Sequence, residues 1–265
     1  MQSTATTAHG AFDIVGDVHG CLDELLELMA TLGYRVERPP GGFAVTPPAG
    51  RTLAFVGDLV NRGPATAEVL RLAMTMVEAG QALSVAGNHD MRLLRALRGG
   101  DVEITRDLAQ SIEQLAREGE EFCAEATRFL HELASHSILD DGRLVIAHAG
   151  LKEQMQGSRS AEARTFALEG ETTFEKDASG LPVRVNWAAE YRGKALVVYG
   201  HKPVVEPAWL NNTVNIDTGC VYGGRLTALR YPERETVSVS ARAIHCKPRK
   251  RFLANEPFVQ KAGRP

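Results

Sequence analysis

Short apolar runs that stop at a glycine and then a polar residue recur along this chain, with helical spacing in the gaps between them. Phe12 to Val15 is the first run, Leu53 to Val56 the second and Ala82 to Ala86 the third. Runs of this length, closed by glycine, predict buried strands. After the first, Leu22, Leu25, Leu26 and Met29 share a helical face that ends near Gly33. After the second, Val69, Leu70, Ala73, Met74 and Val77 do the same until Gly80. Strand, helix, strand, helix, strand is the arrangement from which parallel sheets are built. Phe43 to Val45 lies between Pro39-Pro40-Gly41-Gly42 and Pro47-Pro48-Ala49-Gly50, and predicts a hairpin or surface excursion.

Residues 91 to about 135 form a predicted helical insert, broken at Gly99-Gly100 and at Gly119. Its histidines, His131 and His136, are read as structural or surface residues. Further strands are predicted at Leu144 to Ala147, Leu196 to Tyr199 and Val214 to Ile216. Leu226 to Tyr231 and Val237 to Val239 flank a turn at Pro232-Glu233 and predict an antiparallel hairpin. Residues 152–180 are polar and weakly periodic, which predicts a long loop with a helical turn or two. With the residues up to 193 they form the expected capping region that sets specificity. Trp187 and Tyr191 either stack on a base there or pack against the sheet. The expected organisation is one domain over residues 1–241. A basic, flexible tail over 242–265 carries Lys247-Pro248-Arg249-Lys250-Arg251, which could touch RNA or another polyanion.

Composition narrows the class. Hydrophobic residues make up 44% and charged residues 24% of the 265 positions, as in soluble globular proteins. A net charge of -3 argues against a strongly basic nucleic-acid binder. The polar stretch Met1 to Gly10 does not resemble a signal peptide, and no apolar run is long enough for a membrane span; the expected location is cytoplasmic. Cys21, Cys123, Cys220 and Cys246 are scattered, which predicts reduced thiols and neither a disulfide framework nor a structural zinc site.

The chemistry sits where the strands end. In parallel sheets the carboxyl ends of the strands collect functional loops. Here those ends present Asp17 and His19, Asp58 and Arg62, Asn88 and His89, then His148, His201 and Asp217. Oxygen and imidazole donors without a thiol suit two divalent ions such as manganese, iron or zinc. If Asp17, His19, Asp58, Asn88, His148 and His201 are the ligands, only two are anionic, and two divalent ions keep a surplus near about +2 that favours a phosphate ester dianion. Such a pair of ions lowers the pKa of water and stabilises both oxygens of an in-line displacement. Arg62 is suited to clamp phosphate oxygens, and His89, surplus to the ligand count, is the candidate general acid.

The series Gly16-Asp17-Val18-His19-Gly20, Gly57-Asp58-Leu59-Val60-Asn61-Arg62-Gly63, Gly87-Asn88-His89-Asp90, His148-Ala149-Gly150 and Gly200-His201 resembles the motifs of the phosphoprotein-phosphatase-type, calcineurin-like metallophosphoesterases. Residues 166–173, 187–193 and 216–229 look most like the phosphatase module of bacterial polynucleotide kinase-phosphatase. Symmetrical diadenosine tetraphosphatases share the five motifs. The resemblance implies an α/β fold of two mixed β-sheets packed as a sandwich flanked by helices, with a dinuclear metal site at the strand ends. It implies that Asp17, His19 and Asp58 hold one ion, and that Asp58, Asn88, His148 and His201 hold the other. Manganese is the expected metal, with iron, zinc and nickel as alternatives. Asp217 is an implied further site residue.

Two departures follow. Asn61 stands where the family usually has an aspartate paired with the catalytic histidine; it is expected to accept a hydrogen bond from the imidazole without stabilising its charge. No G-x-x-x-x-G-K-[S/T] loop accompanies the phosphatase motifs. The leading expectation is a phosphoesterase acting on nucleotide or RNA-end phosphates. Symmetrical diadenosine tetraphosphate hydrolysis, serine/threonine phosphatase activity and a metal-binding scaffold without turnover are the alternatives.

Overall fold

The computed structural model describes residues 10–176 and 182–247. The first half runs β1 (Ala11–Val15), α1 (Leu22–Thr31), β2 (Arg35–Glu37), β3 (Ala44–Thr46), β4 (Arg51–Phe55), α2 (Thr66–Glu78), β5 (Ala82–Ser84), α3 (Asn88–Leu97), α4 (Arg106–Arg117) and α5 (Glu120–Glu132). The second half runs β6 (His136–Leu139), β7 (Leu144–Ala147), α6 (Ala161–Glu169), β8 (Thr172–Lys176), β9 (Pro182–Arg184), α7 (Trp187–Glu190), β10 (Leu196–Tyr199), β11 (Ala208–Leu210), β12 (Thr213–Asn215), β13 (Arg225–Tyr231) and β14 (Glu235–Ser240).

Two five-stranded sheets carry the fold, ordered β14-β13-β1-β4-β5 and β11-β12-β10-β7-β6. In the first, β1, β4 and β5 are parallel, and β13 and β14 continue the sheet antiparallel. In the second, β7, β10 and β12 are parallel, while β6 and β11 close the two edges antiparallel. Alternation along each strand divides the burial between two faces. Phe12, Ile14 and Val56 of the first sheet meet Ile146, Val198 and Val214 of the second in one apolar layer. On the far face of the first sheet, Val15, Leu53 and Phe55 pack with Leu25 of α1, Leu70 of α2 and Leu93 of α3. Beyond the second sheet, Val145 and Val197 pack with Phe166 and Trp187. This is the expected pair of mixed sheets flanked by helices.

Several local expectations change. The helical segment starts earlier than residue 91, because α3 begins at Asn88. Residues 152–176 are more ordered than a loop: α6 is capped by Ser160, whose side chain accepts the Ala163 N–H at 3.1 Å, and β8 pairs with β9. Trp187 and Tyr191 are buried edge-to-face and take the packing role, not base stacking. The edge strands β6 and β11 and the small strand β2 carry no strong apolar run and were not expected. The segment after β14 is anchored rather than free up to Lys247: the Arg242 N–H donates to Glu24 at 2.8 Å and the Cys246 N–H to Val221 O at 3.1 Å. The rest of the basic run, Pro248 to Arg251, lies outside the described residues. Among the described residues no helix is long and apolar enough to cross a membrane.

Candidate active site

The carboxyl ends of the six parallel strands meet where the two sheets are pressed together. At Gly16 a Cβ would lie 2.7 Å from the Ile216 carbonyl of the opposite sheet, so only glycine lets these strand ends approach so closely. A Cβ at Gly200 would likewise run into the Asp17 carboxylate. Asp17 follows β1, Asp58 follows β4, and Asn88 opens α3 after β5. His148, His201 and Asp217 follow β7, β10 and β12. All the residues expected at the site are therefore brought to one place.

The loops of the first sheet are tightly braced. The His19 N–H donates to Asp58 O at 2.8 Å and Gly20 N–H to Leu59 O at 2.9 Å. The carboxylate of Asp90, fully buried, accepts the N–H groups of Asp58, Leu59 and Gly87 at 2.9, 3.0 and 2.9 Å. It ties the Asp58 loop to the Asn88 loop, a role that the sequence reading missed although Asp90 closes the Gly-Asn-His-Asp motif. Bracing of this kind supports uncommon backbone: His19, Asp58, Asn61, Arg62 and His201 have φ of 45°, 51°, 68°, 70° and 70°. Left-handed residues other than glycine concentrate at functional sites, because a surrounding structure must hold them there.

The donor set fits a cation. The His19 Nδ1 donates to Val60 O at 2.9 Å and the His148 Nδ1 to Val56 O at 3.2 Å, which leaves a lone pair on Nε2 of each neutral ring. The His148 Nε2 lies 3.1 Å from Asn88 Oδ1, 3.0 Å from His201 Nδ1 and 3.4 Å from Asp58 Oδ2. The His19 Nε2 lies 3.5 Å from the same Asp58 oxygen. Of these atoms the His148 Nε2, Asn88 Oδ1 and Asp58 Oδ2 are acceptors facing one another. Ligands bound at about 2.0–2.2 Å to one ion lie about 3 Å from one another, so a shared cation accounts for the spacing. Asp17, Asp58 and His148 offer ligand atoms all within 4.8 Å of one another.

Electrostatics point the same way. Burial pushes the Asp58 and Asp217 carboxyls up to about 7. Asp17 is raised well above the usual range by burial, then by the charges of Asp217 and Asp58. Burial, and then Arg62, hold His19 and His89 well below the usual histidine range. Crowded buried carboxylates are relieved by bound cations. Arg62 is the guanidinium beside them: its Nη1 donates to the His19 Nε2 at 2.7 Å, and its Cζ sits 5.3 Å from the Tyr222 ring centre. Ligation by His19 therefore requires Arg62 to release that nitrogen, which frees a planar fork for phosphate oxygens.

Asn61 does not do what the sequence suggested. Its Nδ2 points at the His89 Nδ1, 3.2 Å away, and also donates to the His89 carbonyl at 3.3 Å. The amide therefore donates rather than accepts, because turning it over would set its oxygen against that carbonyl. Its Oδ1 is buried without a hydrogen-bond partner. The carboxylate that approaches the His89 Nδ1 comes from elsewhere: Asp107 Oδ2, on α4, is 4.0 Å away. No motif in the sequence signals it.

The model of the calcineurin-like phosphoesterase family matches residues 11–232. A relative from Anoxybacillus flavithermus, named bis(5'-nucleosyl)-tetraphosphatase PrpE (asymmetrical), is 48% identical over 232 residues, 86% of this chain and 93% of its own length. The protein of that name in Bacillus subtilis is 43% identical over 233 residues, again 86% of this chain and 94% of its length. A crystal structure of a candidate diadenosine tetraphosphatase matches with a TM-score of 0.64 and 28% identity, covering 90% of this chain and 97% of its own. A serine/threonine phosphatase of Saccharomyces cerevisiae shares the fold, with a TM-score of 0.56 at 12% identity over 88% of this chain and 80% of its own. The tetraphosphatase resemblance is thus the one these relatives carry, rather than that to the kinase-phosphatase module, and the names of the two bacterial relatives specify asymmetrical rather than symmetrical cleavage. On the match over residues 11–232 and on these identities, the chain belongs to the calcineurin-like phosphoesterase family, and it is a hydrolase acting on phosphate esters.

Proposed function

We propose that this chain hydrolyses bis(5'-nucleosyl) tetraphosphates asymmetrically, releasing a nucleoside triphosphate and a nucleoside monophosphate. The observation that carries the chemistry is the convergence of acceptor atoms on Asp58 Oδ2 from both sheets, with Arg62 alongside. The choice of substrate is supported by the name of the relative 48% identical to this chain.

In this reading Asp17, His19 and Asp58 hold one divalent ion, and Asp58, Asn88, His148 and His201 hold a second, manganese first among the alternatives. Two such ions supply a water of lowered pKa and charge neutralisation for the phosphoryl group. The protein's own groups do the rest. Arg62 binds phosphate oxygens bidentately. His89 gives a proton to the departing oxygen. Asp217, whose Oδ1 accepts the Gly219 N–H at 3.0 Å, adds negative charge beside Asp17.

The test is product analysis. Manganese-loaded protein given diadenosine tetraphosphate should release adenosine tri- and monophosphate in equal amounts. Two diphosphates instead would mean symmetrical cleavage. No turnover of this substrate, with hydrolysis of 2′,3′-cyclic AMP or of a phosphopeptide, would overturn the reading in favour of an RNA-end or protein phosphatase.

A further inference from the structure

We infer that Tyr222, in the loop that crosses from β12 to β13, positions Arg62 for phosphate. The inference rests on the reading of Arg62 as the phosphate clamp of the proposed function. Among the described residues Arg62 has one hydrogen-bond partner, the His19 Nε2 at 2.7 Å. That nitrogen carries the lone pair that His19 offers to an ion, so Arg62 loses this partner whenever His19 is a ligand. The ring of Tyr222 is what remains beside it: the Arg62 Cζ stands over that ring, 5.3 Å from its centre. A cation within about 6 Å of an aromatic face is attracted by the quadrupole of the ring. This contact uses no N–H, so it persists while the donors of the guanidinium turn to phosphate oxygens.

The ring is held in place by backbone. Tyr222 is half-buried and packs against the core of the first sheet, and Cys220 and Val221 before it are buried. Within the loop the Tyr222 N–H donates to Gly219 O at 3.0 Å and the Gly223 N–H to Cys220 O at 2.9 Å. The segment after β14 straps the loop from outside. The Ala241 N–H donates to Gly224 O at 2.9 Å, and Val221 O accepts the N–H groups of His245 and Cys246 at 3.0 and 3.1 Å. Tyr222 itself pairs with Ile244 in an antiparallel bridge. At Gly223, with φ of 89°, a Cβ would lie 2.6 Å from Ile244 Cγ1, so the strap lies directly on the loop. The strap is in turn fixed to α1: the Arg242 N–H donates to Glu24 at 2.8 Å, and its guanidinium pairs with Asp23 and Glu27, each at 3.2 Å. A chain of contacts thus runs from α1 through residues 241–246 to the ring under Arg62. A ring fixed in this way limits where the long arginine side chain can go, and spares some of the rotamer entropy that phosphate binding would otherwise cost.

The probe is orthophosphate, titrated calorimetrically into the manganese-loaded full chain, with metal content read by mass spectrometry. Tyr222→Leu removes the ring but keeps apolar bulk against the core; it should weaken orthophosphate binding roughly 3–20-fold and leave the metal content unchanged. Tyr222→Met serves the same test should leucine impair folding. Tyr222→Phe keeps the ring and should bind within about 2-fold of the wild type. In an Arg62→Ala background Tyr222→Leu should have no further effect, because the ring acts through the guanidinium. An equal loss in both backgrounds, a loss in Tyr222→Phe as large as that in Tyr222→Leu, or metal missing from Tyr222→Leu would each overturn the inference. Arg62→Ala alone is the control. If it weakens orthophosphate binding and Tyr222→Leu does not, the inference alone fails. If Arg62→Ala leaves binding unchanged, the clamp reading fails and takes the inference with it.

Discussion

The two sheets meet at the site but bring different things to it. The loops after β1, β4 and β5 carry Arg62 and His89 besides donors, and four of their residues hold left-handed backbone under a lattice of hydrogen bonds centred on Asp90. The loops after β7, β10 and β12 bring two imidazoles and Asp217, with left-handed backbone among these donors only at His201. Left-handed backbone thus concentrates in the braced loops of the first sheet and is sparse among the donors of the second. Asp58 joins the two sides, since His19 and His148 both lie against its Oδ2.

The strongest way to break this division is Asp58→Ala. It should remove metal from both sides and lower kcat/KM by at least about a thousandfold, several kcal/mol of transition-state stabilisation. Metal content by mass spectrometry alongside kinetics would check it; retention of both ions would show that the sides do not depend on Asp58. Next is the brace. Asp90→Ala leaves three buried N–H groups without acceptors and should cost roughly 3 kcal/mol of stability in urea unfolding. An unchanged midpoint would mean that the first-sheet loops hold themselves.

Charge at the junction has a sign that can be measured. Asp58 keeps its proton up to about 7 in the folded chain but ordinarily loses it near 3.8. The metal-free folded state therefore binds more protons than the unfolded state across that window, and its stability falls as pH rises through it. Asp58→Asn removes this loss. Without metal, the variant should match the wild type near pH 4 and become progressively more stable than it by pH 8, as read from Tm. A gap that stays constant with pH, or widens toward acid, would refute the assignment.

Smaller effects probe each side alone. Arg62→Ala should weaken inhibition by orthophosphate about 10–100-fold, the range of a charged hydrogen bond. On the outer layer of the second sheet, Ser160→Ala should cost about 1 kcal/mol of stability through its helix cap and leave kcat/KM unchanged. A fall in activity there would tie α6 to the site.

Much of this was legible along the chain. The donors follow strand ends, and at Gly16, Gly57, Gly87 and Gly200 a short apolar run closed by glycine marks the end without reference to anything distant, whereas His148 and Asp217 follow their runs directly. The strands without such a mark escaped notice: β6 and β11 are short edges, and β11 is exposed throughout. Trp187 allowed two readings because an aromatic residue looks the same in sequence whether it faces a ligand or a core.

The chain by itself determined which donors stand at the strand ends and in what order, because an apolar run and the polar residue that ends it, with or without a glycine between, are local features set by backbone geometry and burial. Only the tertiary structure decided that donors from two separate sheets share one oxygen of Asp58. It also decided that Asn61 turns its amide nitrogen to His89 and that Asp107, eighteen positions after that histidine, brings a carboxylate within 4.0 Å of the imidazole. Those outcomes depend on how α4 docks and which way an amide is held, and no local pattern of residues encodes either.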